Sequence, residues 1–321
     1  MQRREILKWA CAAPAWSAAA AMAEIDQAKL VVGYAPGTAA DGLARVLADR
    51  MRGDYAASLI VENRAGASGQ LAVTSVKSAP ADGKTILVSP IMVLSVVPHT
   101  FSKVAYDPLK DLVPLGNSVT TDFVLAVGPA VPASVSTLAQ FVEWCKANPD
   151  KSSYGTGGTG TKIHFAGVRF AKLGGFEFVH VGYTANSGAL TDLASGAIPA
   201  YIGSVATVLP FAGRVRVLGA MGAKRSRFFP NAPTFVESGY KDMVIDESIS
   251  LYLPARTPKP VIERLQASMT QALQTPQALA TLSTLGLEAT PSSPAEFSVK
   301  LKQEYEDWGR FVRSIGFKRD S

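Results

Sequence analysis

Cysteine is nearly absent from this chain, and so is histidine. Its 321 residues include two cysteines, Cys11 and Cys145, and three histidines, His99, His164 and His180. Cys11 lies in a removable leader described below, so Cys145 has no internal disulfide partner. It falls in the helical pattern Leu138, Phe141, Val142, Cys145 and reads as a small buried hydrophobe. The histidines lack the short spacings of a zinc site. No G-x-S-x-G stretch occurs to mark a nucleophile elbow. A strong charge of one sign is also missing, because 32 Lys and Arg against 26 Asp and Glu leave only +6, no nucleic-acid footprint. No apolar run after the leader reaches the roughly 20 residues of a membrane helix.

A chain of this length with 47% hydrophobic residues can bury a sizeable core, enough for about two domains. It begins "MQRREILKWACAAPAWSAAAAMA", a basic start, a short Ala-rich apolar middle and the small-x-small site Ala21-Met22-Ala23. That is an export signal over residues 1–23, with the mature chain starting at Glu24 in the periplasm. Arg3-Arg4 fits the twin-arginine type, although paired arginines also occur in ordinary secretory leaders. Arg3, Arg4 and Lys8 against Glu5 carry two positive charges, so the mature chain keeps +4.

Apolar runs then alternate with amphipathic stretches. Strands are expected at 29–34, 58–62, 85–89, 123–127, 176–181 and 215–221. Helices are expected from Asp41, over 69–78, from the capping box Thr137-x-x-Gln140, and around 189–194. Such alternation means an α/β fold of mostly parallel sheets covered by helices. The tail is helical, with Val261, Leu265, Met269 and Leu273 on one face. A last helix follows Ser293-Pro294-Ala295-Glu296, with Phe297, Leu301, Tyr305, Trp308 and Val312 inward.

The stretch "YGTGGTGTKIHFAG" (154–167) contains a literal G-x-G-x-x-G and falls one residue short of a P-loop ending. Both nucleotide readings lose their confirming residues. The strand after the loop ends Val181-Gly182-Tyr183 without an acid for a ribose, and Gly160 is followed by Thr161, not lysine. What remains is an anion cradle: glycines that expose N–H groups, Thr156, Thr159 and Thr161 hydroxyls, and a helix N-terminus near Ile163. "YAPGTAADG" (34–42) is a second loop of this kind, with Asp41 read as an N-cap. Two such loops at strand-to-helix turns place a small anion between two lobes.

The chain resembles the Bug (TctC-like) extracytoplasmic solute receptors of tripartite tricarboxylate transporters. The likeness rests on Pro36-Gly37 with Asp41 and Ala44-Arg45, "VENRAGASG" (61–69), "ADGKTILV" (81–88), "YDPLKDLVPLG" (106–116), "KANP" before "YGTGGTGT", "FVHVGYTANSGALTDLASG" (178–196), "APTFVESGY" (232–240) and "LPARTPKPVIERL" (253–265). These follow in order along essentially the whole mature chain. The resemblance implies a two-lobed periplasmic binding protein (Venus-flytrap) fold with hinge strands between the lobes. Lobe 1 would comprise 24–125 plus 247–321, and lobe 2 would comprise 126–246.

It further implies a receptor that captures a small carboxylate and delivers it to inner-membrane permease subunits. Such a receptor would act as a monomer, with no chemistry, cofactor, metal or nucleic acid of its own. A periplasmic enzyme, or a subunit that docks on a sensor kinase, remains the alternative on the same fold. By position, Pro36, Gly37, Thr38 and Ala39 line one wall of the cleft. Thr156, Gly157, Gly158, Thr159, Gly160, Thr161 and Lys162 line the other, with Tyr183, Thr184, Asn186 and Ser187 alongside.

The chain departs from the family pattern at Thr38, in place of a second glycine, and at Thr184-Ala185, in place of Lys-Gly. It also departs at Lys162-Ile163, Pro199 and Ser248. One lysine is lost at 184 and another placed at 162, which puts ligand identity in question. Lys162 is either a ligand contact or a solvated rim cation. His164 reads as a packed or capping side chain, Asp192 as a local cap or pair, and Lys318-Arg319 as an ordinary solvated end.

Overall fold

β-Branched and aliphatic runs, each bounded by glycine, proline or polar turns, give ten strands in the computed structural model, which describes residues 25–319. The export signal and the start at Glu24 lie outside the described residues. The strands are β1 (Gln27–Val32), β2 (Ser58–Asn63), β3 (Thr85–Pro90), β4 (Leu112–Val127) and β5 (Ser153–Thr156). They continue with β6 (Val179–Gly182), β7 (Ala200–Ser204), β8 (Arg216–Ala220), β9 (Asp246–Pro254) and β10 (Glu288–Ala289). Their hydrogen-bonded order is β2-β1-β3-β9-β4-β7-β5-β6, with β8 and β10 also on β4.

The outer pairs β1–β2, β1–β3, β5–β6 and β5–β7 are parallel, joined by helical crossovers as the alternating pattern requires. The middle is antiparallel. β4 spans 16 residues, where the sequence pattern marked only 123–127. Its first part, through Asp122, pairs with β9, and from Phe123 onward it pairs with β7 and β8. The sheet therefore changes partners at Asp122–Phe123, opposite Asp246 at the start of β9. Strand β7, "AYIGS", was not anticipated, since five residues that include a glycine carry little alternation.

Each half has its own core. Leu30, Leu43, Leu47, Ile86, Leu251 and Met269 pack in the first, and Phe141, Tyr154, Phe165, Phe170, Leu218 and Phe235 in the second. The C-terminal helix Pro294–Ser314 starts at the expected capping box, with Ser293 and Glu296 bonded reciprocally. Phe297 and Leu301 join Tyr252 on the outer face of the first half, whereas Trp308 and Val312 are buried in the second-half core. The expected division gave all of 247–321 to the first lobe, but this helix crosses back. The reason is length: 21 residues at about 1.5 Å each span both halves. Met92 packs against the second-half core and Val96 is buried in it. No helix among the described residues is long and apolar enough to cross a membrane.

Candidate functional site

The first candidate loop follows β1. Pro36 and Gly37 are exposed, and Gly37 takes φ +84°, a left-handed value that favours glycine. The helix Ala39–Arg50 starts after Thr38, so Asp41 is the third helical residue and not the expected N-cap. It reaches back to accept the Gly37 N–H at 2.9 Å, and it also holds Arg45 Nε at 2.8 Å and Asn63 Nδ2 at 2.9 Å. Asp41 is only 2% exposed. Hydrogen bonds from Arg45, Gly37 and Asn63 outweigh its burial and lower its pKa. The Gly37 donor is thus committed to the loop itself. The helix still offers first-turn N–H groups without intrahelical partners, at Ala39 and Ala40.

The second loop follows β5 and opens the helix Lys162–Gly174, whose N-cap is Thr161. Thr161 Oγ1 donates to the Gly158 carbonyl at 2.8 Å and accepts from the His164 N–H at 3.4 Å. Thr156 Oγ1 lies 2.7 Å from His180 Nε2 and 3.4 Å from the Gly158 N–H. The Gly160 N–H donates to His164 Nδ1 at 3.1 Å. Two of the loop's donors, at Gly158 and Gly160, therefore shape the loop. Among the described residues the N–H groups of Gly157 and Thr159 have no hydrogen-bond partner, and those of the first helical turn have none within the helix.

His164 and His180 stack behind the loop with ring centroids 4.0 Å apart. Burial drives both toward the neutral form, His164 to about 3 with a further push from His180, and His180 to about 4. A neutral His164 keeps the Nδ1 lone pair that receives Gly160, which bears out its reading as a packed, capping histidine.

Tyr183 to Ser187 lie beside this loop. A side chain on Gly157 would overlap the Asn186 amide, and one on Gly182 would overlap the Thr159 hydroxyl. Asn186 Oδ1 accepts from Tyr201 at 2.9 Å, and Tyr183 donates to Asp192 at 2.7 Å. Thr184 and Ser187 are exposed. The structure thus brings Thr156–Thr161 and Tyr183–Ser187 together, with Thr156 and Gly160 buried beneath the partly exposed Gly157, Gly158 and Thr159. Among the described residues no hydrogen bond joins Pro36–Ala39 to it. The link runs through a third loop, residues 66–69, that was not among the candidates. Gly69 packs on Gly33 and against the Tyr34 ring. Gly66, Ala67, Ser68 and Gly69 all have positive φ, at 143°, 47°, 56° and 91°. For Ala67 and Ser68 this costs roughly 1–2 kcal/mol each.

Lys162 corrects an expectation. It is neither a ligand contact nor a rim cation, being 1% exposed. Its Nζ sits 2.7 Å from Glu304 Oε2, 3.6 Å from Glu247 Oε1 and 3.0 Å from the Asp246 carbonyl. Burial opposes the charge, but Glu247, Glu304 and Asp246 outweigh it and raise the pKa. Glu247 also accepts the Met92 N–H at 3.2 Å, and Lys300 joins through Asp246 at 2.7 Å. Burial carries the Glu247 carboxyl up to about 7, against the pull of Lys162. This network ties the cradle helix, the start of β9 and the C-terminal helix into one strut.

The last correction concerns the tail. Lys318 is exposed as expected, but Arg319 is half-buried. Its Nη1 donates to Ser68 Oγ at 3.0 Å and to the Thr159 carbonyl at 3.4 Å, and its guanidinium lies over Phe101, 5.0 Å from the ring centre. A hinge-side concavity lined by Thr120, Asp122, Glu288 and Thr290 has no basic group in its lining. Its Asp122 carboxyl is pushed up to about 6 by burial, Glu288 and Asp246, which makes it a poor host for an anion.

A family model described as tripartite tricarboxylate transporter family receptor matches residues 43–317. A protein of Pseudomonas sp. (strain P51), described as UPF0065 protein in tcbD-tcbE intergenic region, is 32% identical over 285 residues, covering 88% of this chain and 84% of its own. The solved periplasmic binding protein BugD is 26% identical with a TM-score of 0.79, covering 92% of this chain and 99% of its own. The R. palustris protein Rpa4515, solved with adipate, is 26% identical with a TM-score of 0.82 over the same shares. The two-lobed periplasmic binding protein fold is thereby established.

Proposed function

The chain belongs to the tripartite tricarboxylate transporter family of receptors, and from that premise we propose that it captures a small carboxylate in the cleft between its halves and delivers it to membrane permease subunits. The observation that carries this reading is the pairing of two helix N-termini with loops that present N–H groups and hydroxyls and no carboxylate. Asp41, in the first turn of the first helix, is fully engaged by Arg45, Asn63 and Gly37, and Glu247 and Glu304 near the second are held by Lys162. Donors of this kind hold an anion by charge-assisted hydrogen bonds. Binding of adipate by a relative 26% identical supports the carboxylate class.

The carboxylate sits against Ala39 and Ala40 on one side and Gly157, Thr159 and the first turn after Thr161 on the other. Tyr183, Thr184, Asn186 and Ser187 form the floor. Closure turns the halves about Asp122–Phe123 and Asp246, where β4 changes partners. The protein performs no chemistry: the two histidines behind the cradle are committed to Thr156 and Gly160. It works in the periplasm after removal of residues 1–23.

Thermal-shift and calorimetric titration against a panel of carboxylates, neutral sugars and cationic amino acids tests the ligand class. Stabilisation by sugars or cationic amino acids, with none by any carboxylate, overturns it. Intact-mass measurement on periplasmic extract tests the compartment, and a full-length cytoplasmic chain overturns that part.

A further inference from the structure

We infer that Arg319, at the end of the chain, is the cation that receives a second carboxylate of the ligand, so that the receptor selects dicarboxylates over monocarboxylates. The inference deepens the carboxylate reading above and rests on it.

Arg319 stands where the two halves meet. Ser68 belongs to the strained 66–69 loop against Gly33 and Tyr34, which lead into the first anion loop, and Thr159 belongs to the cradle. One guanidinium nitrogen touches both. The backbone is anchored as well: the Arg319 N–H donates to the Thr100 carbonyl at 2.9 Å, and Phe317 packs against Gly160 and edge-on to His164.

A guanidinium carries five N–H donors in a planar fork. Nη1 makes both recorded hydrogen bonds, and the Phe101 ring covers one face. Among the described residues Nε and Nη2 have no hydrogen-bond partner, and this edge has the spacing to take a bidentate carboxylate. A hydroxyl, a carbonyl and a ring are the recorded partners, and none of them is a carboxylate among the described residues. The other cations on these loops are committed: Arg64 pairs with Glu62, and Lys162 is sealed among Glu247 and Glu304. Thr184-Ala185 supplies no charge. The helix N-termini thus receive one carboxylate, and Arg319 is placed for another.

The test titrates the mature protein, Arg319→Met and Arg319→Lys with matched pairs: succinate and butyrate, glutarate and pentanoate, adipate and hexanoate. Circular dichroism checks that each variant is folded, and a chain ended at Lys318 provides a second variant. In Arg319→Met the diacid of the best pair is expected to lose about tenfold or more in affinity, and the monoacid less than about threefold. Arg319→Lys restores only part, because a point charge lacks the planar fork. Equal losses for diacid and monoacid overturn the inference and make the tail a latch between the halves. A native protein that binds only the monoacids overturns it too. Binding of no carboxylate by the native protein removes the parent reading as well, an outcome distinct from unselective loss.

Discussion

Replacing Lys162 by methionine keeps the stem and removes the ammonium, which isolates the role of charge in the strut. In the native protein that ammonium is 1% exposed and lies 2.7 Å from Glu304 and 3.6 Å from Glu247. Without it, the buried Glu247 carboxyl loses its counter-ion, while Lys300 still serves Asp246 at 2.7 Å and Glu304 at 3.9 Å. Breaking a buried pair on one side costs about 3–5 kcal/mol. At roughly 2 °C per kcal/mol for a chain of this size, the midpoint falls by about 6–10 °C.

The pH dependence is a sharper check. Glu247 is raised to about 7, above its ordinary value, so between about 4.5 and 7 the folded state holds more protons than the unfolded one. Its contribution is complete below that window and is lost as pH rises through it. Losing Lys162 removes the attraction that keeps Glu247 from rising further, so the penalty of Lys162→Met grows from pH 5 to pH 8. Differential scanning calorimetry across that range measures both effects. A loss under about 1 kcal/mol at pH 8, or a penalty independent of pH, refutes a charged buried strut.

Three further outcomes follow from the same geometry. Gly157→Ala overlaps the Asn186 amide and is expected to weaken ligand binding about tenfold or more in calorimetry, whereas Gly158→Ala, whose nearest neighbour is the Thr161 methyl at 3.2 Å, changes it little. Thr161→Ala removes a helix cap and a bond to Gly158, so chemical denaturation should register a loss of about 1 kcal/mol. Because burial holds His164 and His180 neutral, with pKa values about 3 and about 4, the unfolded chain binds more protons below about pH 6.5. Their contribution is present above that pH and declines as pH falls toward 4. His180→Gln should flatten this acid-side decline in urea titrations, and an unchanged slope contradicts it.

Local chemistry determined much of this protein from sequence alone. Apolar runs placed the parallel strands β1, β2, β3 and β6, and the capping boxes at Thr137/Gln140 and Ser293/Glu296 start their helices as expected, because their partners lie within one turn. The glycine and threonine loop before Lys162 marked a helix N-terminus for the same reason. Only the tertiary structure decided which donors remain free. Asp41 consumes the Gly37 N–H and His164 consumes that of Gly160. It also decided where the cations go. Lys162 meets a backbone carbonyl 84 residues away, and Arg319 meets a hydroxyl 251 residues away. A lysine beside a glycine loop and an arginine near a chain end carry no local mark of burial or pairing. Their environment is set by long-range packing of the C-terminal helix across both halves, and a single sequence records that packing only as an apolar stripe.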